Sequence, residues 1–303
     1  DSPGGGGGGG VRTSFGSQSG GASPPESQFT FDTTGATSYT VTVGAGVQKQ
    51  NGEDSVFADI TSLGGGYGGG GDGSGATPYN GADGGSGGGG TGGGYFAVGS
   101  GTTGQGFAGG NGLVALNSYP GGGGGGSGAI GQTAPNGNTL GNGGIGTIVN
   151  ILPYGTAGTI NVGEVSGTDV YYGGGGGGHS FLTASGGGGT GGLGGGADSP
   201  NGSGNNYQNV NGTDNTGGGG SGAVYPVTGV YPRGGSGVVI LRYSSDFALS
   251  KTGTLVEASG SPFTEGSEKI SVFISGSGTV NFTGGSAAVE GTLRENTTTG
   301  KME

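Results

Sequence analysis

The run Gly173-Gly174-Gly175-Gly176-Gly177-Gly178, entered from Tyr171-Tyr172 and left through His179-Ser180-Phe181, decides what kind of fold this sequence can have. Each glycine in an α-helix costs about 1 kcal/mol relative to alanine, and it brings no side chain to a sheet face. What remains for six in a row is an extended helix of three residues per turn, rising about 3.1 Å per residue and so spanning roughly 19 Å. Such a segment makes no internal hydrogen bonds, so every N–H and C=O must be met by another segment.

One run therefore demands several. They are present as Gly4–Gly10, Gly64–Gly71 broken by Tyr67, Gly84–Gly94 broken by Ser86 and Thr91, Gly121–Gly126, Gly186–Gly196 and Gly217–Gly220. Packed side by side, they would admit only glycine at block centres such as Gly123, Gly175, Gly188 and Gly218, where a Cβ would strike a neighbouring backbone. Ser86 and Thr91, already non-glycine, are expected to face outward. Glycine loses more backbone freedom on folding than any other residue, so the assembly must be cooperative.

Composition agrees with this reading. Of 303 residues 93 are Gly, 28% are apolar and 9% charged, which is too little of either for an ordinary packed domain. The runs are irregularly spaced, which excludes the strict three-residue repeat of collagen. Disordered chains are usually rich in charge and poor in aromatics, whereas here 12 Tyr and 11 Phe are distributed among the glycine blocks. Flexible Gly/Ser linkers would not alternate with Leu113-Val114-Ala115-Leu116 or Ile148-Val149-Asn150-Ile151-Leu152.

With a net charge of −11 and eight Lys plus Arg, no basic stripe exists to neutralise a phosphate backbone, so no nucleic-acid partner is expected. Cysteine is absent, which removes disulfides and thiolate chemistry. No apolar run approaches the roughly 18 residues of a membrane span, so no membrane insertion is expected. The chain opens at Asp1-Ser2-Pro3 without an initiator Met and is expected to be a fragment or processed product.

Strand patterns flank the glycine zone. Phe29-Thr30-Phe31 and Ser38-Tyr39-Thr40-Val41-Thr42-Val43 alternate apolar and polar residues. Gly237-Val238-Val239-Ile240-Leu241-Arg242-Tyr243 reads as a strand buried on both faces, and Lys269–Ile274 with Gly278–Phe282 as a further pair. Helix signals are absent. The expected fold is irregular and all-β: packed polyglycine II helices forming a polyglycine sandwich, flanking β-strands and no α-helix. Three segments follow: 1–63, a glycine run plus strand entry; 64–237, the polyglycine core with aromatic and Asn-rich connectors; and 238–303, the closing strand and a C-terminal β segment.

Gly4–Gly10, then Tyr39-Thr40-Val41-Thr42-Val43-Gly44-Ala45-Gly46, then Asn51-Gly52-Glu53-Asp54-Ser55-Val56-Phe57 and Ile60-Thr61-Ser62-Leu63-Gly64-Gly65-Gly66, with Gly234–Tyr243 closing, resembles the glycine-rich domain of phage tail-fibre proteins over residues 4–243. The core pattern also resembles the polyglycine sandwich of T-even-type tail-fibre tip adhesins. These resemblances imply a virion or extracellular location and loops between glycine helices that contact a host receptor. They carry over architecture and general role, and no individual residue. Residues 270–282 resemble the strand that opens a next such domain, implying either a longer repeat array or a terminal strand that completes a neighbouring subunit.

No catalytic constellation, metal site or cofactor motif emerges. His179 is the single His and is expected at the surface or as a cap. Asp72, Asp83, Asp198 and Asp214 fit Asx turns better than calcium loops. Tyr171, Tyr172 and Phe181 bracket a run and are expected to cap it. Tyr79, Tyr119, Tyr207 and Tyr225, next to Asn or Pro, are the candidate receptor-contact tips, since Tyr offers rigid amphipathic area at low entropic cost. The function expected is a non-enzymatic adhesin that recognises a bacterial outer-surface protein or polysaccharide, attached to a fibre shaft or to identical subunits. The alternative is a self-assembling structural subunit of an extracellular fibre or sheath, linked by terminal strand exchange.

Overall fold

Strand-forming sequence concentrates at the two ends of the chain, and the two ends fold together. The computed structural model describes residues 3–70, 80–92, 97–113, 119–137, 139–180, 188–200, 210–222, 231–284 and, as backbone alone, 291–296 and 301–302. From the first part of the chain come β1 (Phe29–Phe31), β2 (Tyr39–Thr42), β3 (Ser55–Phe57) and β4 (Ile60–Ser62). The middle supplies β5 (Thr147–Ile148), α1 (Tyr154–Ile160), β6 (Glu164–Ser166) and β7 (Asp169–Tyr172). The last part supplies β8 (Val239–Ser244), β9 (Phe247–Lys251), β10 (Val256–Glu257), β11 (Phe263–Glu265), β12 (Glu268–Ser275), β13 (Ser277–Gly284), β14 (Gly291–Asn296) and β15 (Lys301–Met302).

A sheet of order β1-β14-β8-β12-β10, with β11 on β12 and β15 on β14, faces a second sheet of order β4-β3-β2-β13-β9. All of the named pairings are antiparallel. Between the two sheets Phe31, Val41, Phe57, Leu241, Tyr243, Phe273, Val280 and Phe282 form one buried cluster. On the opposite face of β8 and β12 lies a second, in which Val238, Ile240, Ile270 and Val272 meet Val11, Ile151, Leu152, Ala157 and Tyr172. Strand β8 therefore sends alternate side chains into two cores, which is why its sequence reads as a continuous apolar run.

The all-β expectation holds, and one expected strand pairing changes. β12 and β13 do not pair with each other: Gly276 alone separates them, at φ 90°, and a hairpin needs a loop of at least two residues. The chain crosses between sheets instead, so β12 pairs with β8 while β13 pairs with β2 and β9. The fold is all-β apart from seven-residue α1, which follows Pro153 and ends on Asn161 in the left-handed region at φ 53°. Two glycines in Tyr-Gly-Thr-Ala-Gly-Thr-Ile hide this helix from propensity; burial of Ala157 in the second core holds it.

The glycine runs stand on this β-sandwich as an extended lattice. Gly4–Gly10 runs through its middle, and its hydrogen bonds change partner with a period of three. The N–H groups of Gly4, Gly7 and Gly10 donate to Gly69, Gly66 and Leu63; those of Gly5 and Gly8 to Gly122 and Gly125; those of Gly6 and Gly9 to Gly220 and Gly217. Gly121–Gly126 repeats the pattern: Gly121 and Gly124 donate to His179 and Gly176, Gly122 and Gly125 to Gly90 and Gly87, Gly123 and Gly126 to Gln132 and Ala129. A Cβ added at Gly5 would stand 2.0 Å from the Gly176 carbonyl oxygen, and one at Gly8 2.2 Å from that of Gly173. At Gly123, Gly175, Gly188 and Gly218 the corresponding distances are 1.9, 2.2, 1.9 and 2.0 Å, each to a backbone carbonyl oxygen.

Ser86 and Thr91 do not face outward. They are 0% and 1% exposed. Ser86 fits inside because the residue facing it is Gly106, where a Cβ would lie 2.2 Å from the Ser86 hydroxyl. The lattice thus tolerates a side chain where the opposing position has none.

Candidate functional site at the open end of the lattice

The two ends of the lattice are built differently. At the sandwich end the runs are closed by short turns, and Ser127 ties them down by donating to the Tyr172 carbonyl and accepting the Thr147 N–H. Tyr172 is fully buried there, and that burial pushes its hydroxyl well above the usual tyrosine range. Gly173, at φ 72°, turns the chain from β7 into its run.

The opposite end is marked by Pro3, whose carbonyl accepts the His179 N–H, while Gly121 donates to the His179 carbonyl and Leu113 to Pro120. Gly81 donates to Ala97, Ser221 to Val210 and Gly222 to Gly177. A Cβ on Gly92 would stand 2.0 Å from the Tyr119 carbonyl oxygen, and one on Gly188 1.9 Å from that of Ser199. The residues flanking 71–79, 93–96, 114–118, 181–187, 201–209 and 223–230 thus gather at one end, away from the sandwich.

Of the four candidate contact tyrosines, Tyr119 is at this end and 37% exposed. Tyr79, Tyr207 and Tyr225 lie outside the described residues, as do Phe181 and Asp72, but each of the three tyrosines belongs to a stretch whose flanks reach this end. His179 is 4% exposed rather than at the surface. Burial lowers its pKa to about 4, against a smaller opposing effect of a backbone hydrogen bond at Ser180, and its Nδ1 has no hydrogen-bond partner among the described residues. Its backbone joins Pro3 to Gly121, so it caps through the main chain while its ring stays neutral and enclosed.

The acidic side chains do something that local turn patterns do not reveal. At the rim of the lattice an extended segment has N–H groups facing water with no neighbouring run to receive them, and Asn and Asp side chains take that place. Asn80 accepts the Ala97 N–H at 3.0 Å and Asp83 that of Ser100 at 2.6 Å. Asn211 and Asp214 do the same for Arg233 and Ser236, both at 3.0 Å, and Asn51 and Asp54 for Tyr67 and Gly64. Asp198 receives Gly191 at 2.8 Å.

Asp83, Asp198 and Asp214 are therefore acceptors between segments rather than Asx turns. The signal in the sequence is a threefold Asn-Gly-x-Asp, at Asn51-Gly52-Glu53-Asp54, Asn80-Gly81-Ala82-Asp83 and Asn211-Gly212-Thr213-Asp214. Its three-residue step matches the step of the segment it caps. Asp214 also holds Arg233 in an ion pair at 2.7 Å, which keeps its carboxyl below the usual range. Among the described residues no group of three or more His, Asp or Glu is placed to hold a metal ion, and no helix is long and apolar enough to cross a membrane.

No curated protein and no solved structure matches the chain. Residues 3–244, which take in the lattice and run to the end of β8, match the family model described as a glycine-rich domain, and the chain belongs to that family.

Proposed function

We propose that the chain is a phage tail-fibre or tip-adhesin domain in which a bundle of polyglycine II helices holds receptor-binding loops away from a β-sandwich base. The observation that carries this reading is the convergence of six connector flanks at the Pro3 end of the lattice. A rigid support that gathers loops at one end is how binding surfaces are commonly built. The hydrogen bonds of period three support the polyglycine II geometry, because three residues per turn return every third N–H to the same neighbour. The partner is a bacterial outer-surface protein or polysaccharide, met by Tyr119 and by the stretches that hold Tyr79, Tyr207 and Tyr225. The role is non-enzymatic and the location the virion or its surroundings.

The test is competition. Purified protein should bind host cells and block phage adsorption, and Tyr119→Ala should weaken the block while shifting stability by less than about 0.5 kcal/mol, as expected of an exposed side chain. Folded protein that neither binds host cells nor competes with phage would overturn the reading. So would long filaments formed by the chain alone, which belong to a structural subunit.

A further inference from the structure

Around Gly4–Gly10 the lattice has six directions, which alternate between outgoing N–H and incoming donors. Three are filled by its own N–H groups, reaching 63–69, 122–125 and 217–220. Two more are filled by donors to its carbonyls: Gly89 and Ser86 to Gly5 and Gly8, and His179 and Gly176 to Pro3 and Gly6. The last phase, the carbonyls of Gly4 and Gly7, has no hydrogen-bond partner among the described residues.

The neighbouring run shows the same gap. Gly66 and Gly69 donate to Ser86 and Gly89, and Gly64 and Tyr67 to Asp54 and Asn51, but the N–H groups of Gly65 and Gly68 have no partner among the described residues. Neither does that of Gly220.

All five of these glycines line one cleft of about 120 Å³. Exposure carries the same period: Pro3, Gly6 and Gly9 are half-buried where Gly4, Gly5, Gly7, Gly8 and Gly10 are buried. Steric room does as well, since a Cβ on Gly6 would meet its nearest atom at 3.3 Å, against 2.0–2.2 Å on Gly4, Gly5, Gly7 and Gly8. The outer wall includes the exposed residues Ala45, Lys49 and Gln50, so the cleft opens to solvent.

We propose that this cleft receives an extended glycine run of another polypeptide, which becomes the sixth neighbour of Gly4–Gly10. Two acceptors three residues apart on one wall and two donors three residues apart on the next are complementary to a single segment of three residues per turn. Residues of that segment facing the two glycine runs must be glycine, since the walls there are backbone. Every third residue, facing Ala45, Lys49 and Gln50, can carry a side chain. A folded second copy has no described run to offer, because 4–10, 64–70, 84–90, 121–126, 173–178 and 217–220 are already members of the lattice. The inference concerns the side of the lattice and does not rest on the receptor reading of its end.

The experiment uses the full chain and a synthetic peptide of six glycines with a lysine at each end. Amide hydrogen exchange at Gly65, Gly68 and Gly220 should slow about tenfold or more when the peptide is added. A peptide of equal length and charge with alanine replacing alternate glycines should give no protection. Gly234→Leu fills the cleft mouth, and a Cβ there meets its nearest atom, the Gly218 carbonyl oxygen, at 3.4 Å, so the protein folds but loses the response. Gly52→Ala, whose methyl would lie 3.5 Å from the Gly65 nitrogen, is a second such variant. The proposal is overturned if the three amides are protected without peptide, if the glycine peptide protects none of them, or if the alanine peptide protects equally. Protection that appears only with rising protein concentration, together with a dimer in sedimentation, would assign the cleft to a second copy and overturn it too.

Discussion

In the β-sandwich Phe282 is fully buried and meets the rings of Phe31 and Tyr243 at centroid distances of 4.3 and 5.3 Å. In the lattice Gly175 is buried too, and the three atoms nearest its missing side chain are all backbone. The first region is stabilised by apolar area withdrawn from water, at about 25 cal/mol per Å². The second has little such area and relies on hydrogen bonds whose net value is only about 0.5–1.5 kcal/mol each, while ordering glycine is the most costly of all residues. The lattice can hold only if its bonds form together and if its base is already ordered. The sandwich supplies that base: Val11 leaves the central run directly into the second core, and Tyr172 leads from the same core into Gly173–Gly178.

The sharpest way to break the contrast is Gly175→Val. Its Cβ would lie 2.2 Å from the Gly124 carbonyl oxygen, and the hydrogen bonds of Gly175 to Gly144 and of Gly192 to Gly175 lie alongside. Displacing that backbone leaves several buried groups unpaired at about 1–3 kcal/mol each, so a loss of about 5 kcal/mol or more is expected in denaturant melts. Gly123→Val should behave alike.

Phe282→Ala breaks the other region by a different route. A cavity in the first core is expected to cost about 3–5 kcal/mol, with the slope of the denaturant transition unchanged. If both substitutions left glycine amides as fast-exchanging as a free peptide, the lattice would have no cooperative stability of its own.

A pH titration separates the regions without mutation. His179 has a folded pKa of about 4, below the ordinary value of about 6.5. Between those values the unfolded chain binds a proton that the folded chain refuses, so stability is complete above about pH 6.5 and falls as the pH drops toward 4. At 1.36 kcal/mol per unit the loss is about 3 kcal/mol. Thermal melts across this window should show it in the wild type, and His179→Gln should flatten it.

The smallest effect belongs to the rim. Asp83→Ala removes the acceptor of the Ser100 N–H and Asn80→Ala that of Ala97. Both sites are exposed, water replaces part of what is lost, and each change is expected to cost about 1 kcal/mol. The two should add in the double variant, since they cap different amides. A rim substitution as damaging as Gly175→Val would mean that the edge, and not the packed interior, limits stability.

Several of these positions are legible in the sequence itself. Six glycines between Tyr172 and His179 exclude helix and sheet, require partner runs, and forbid a Cβ at Gly123 or Gly175. The alternation of Phe29–Phe31 and Tyr39–Val43, and the unbroken apolar run at Val238–Leu241, likewise announce strands with one buried face or two. Ser86 lies inside and not outside because its place depends on what stands opposite, Gly106, some twenty residues on. His179 caps its run, as one of its two expected places allows, but the enclosure of its ring is a property of the neighbours and not of the residue. Asp83 suits an Asx turn because side-chain oxygens serve equally well in a turn or across a gap, and only its partner, Ser100, distinguishes the two.

By itself, then, the sequence determines the local state of the backbone and where side chains are forbidden, since both follow from sterics within a few residues. Which run neighbours which, which connectors share an end, and which direction around Gly4–Gly10 is left unfilled among the described residues were decided by the tertiary structure alone. Identical glycines offer identical donors and acceptors, so nothing in one run selects its partner. The selection comes from the strands and connectors at its ends, whose pairings join residues as far apart as Phe29 and Leu293.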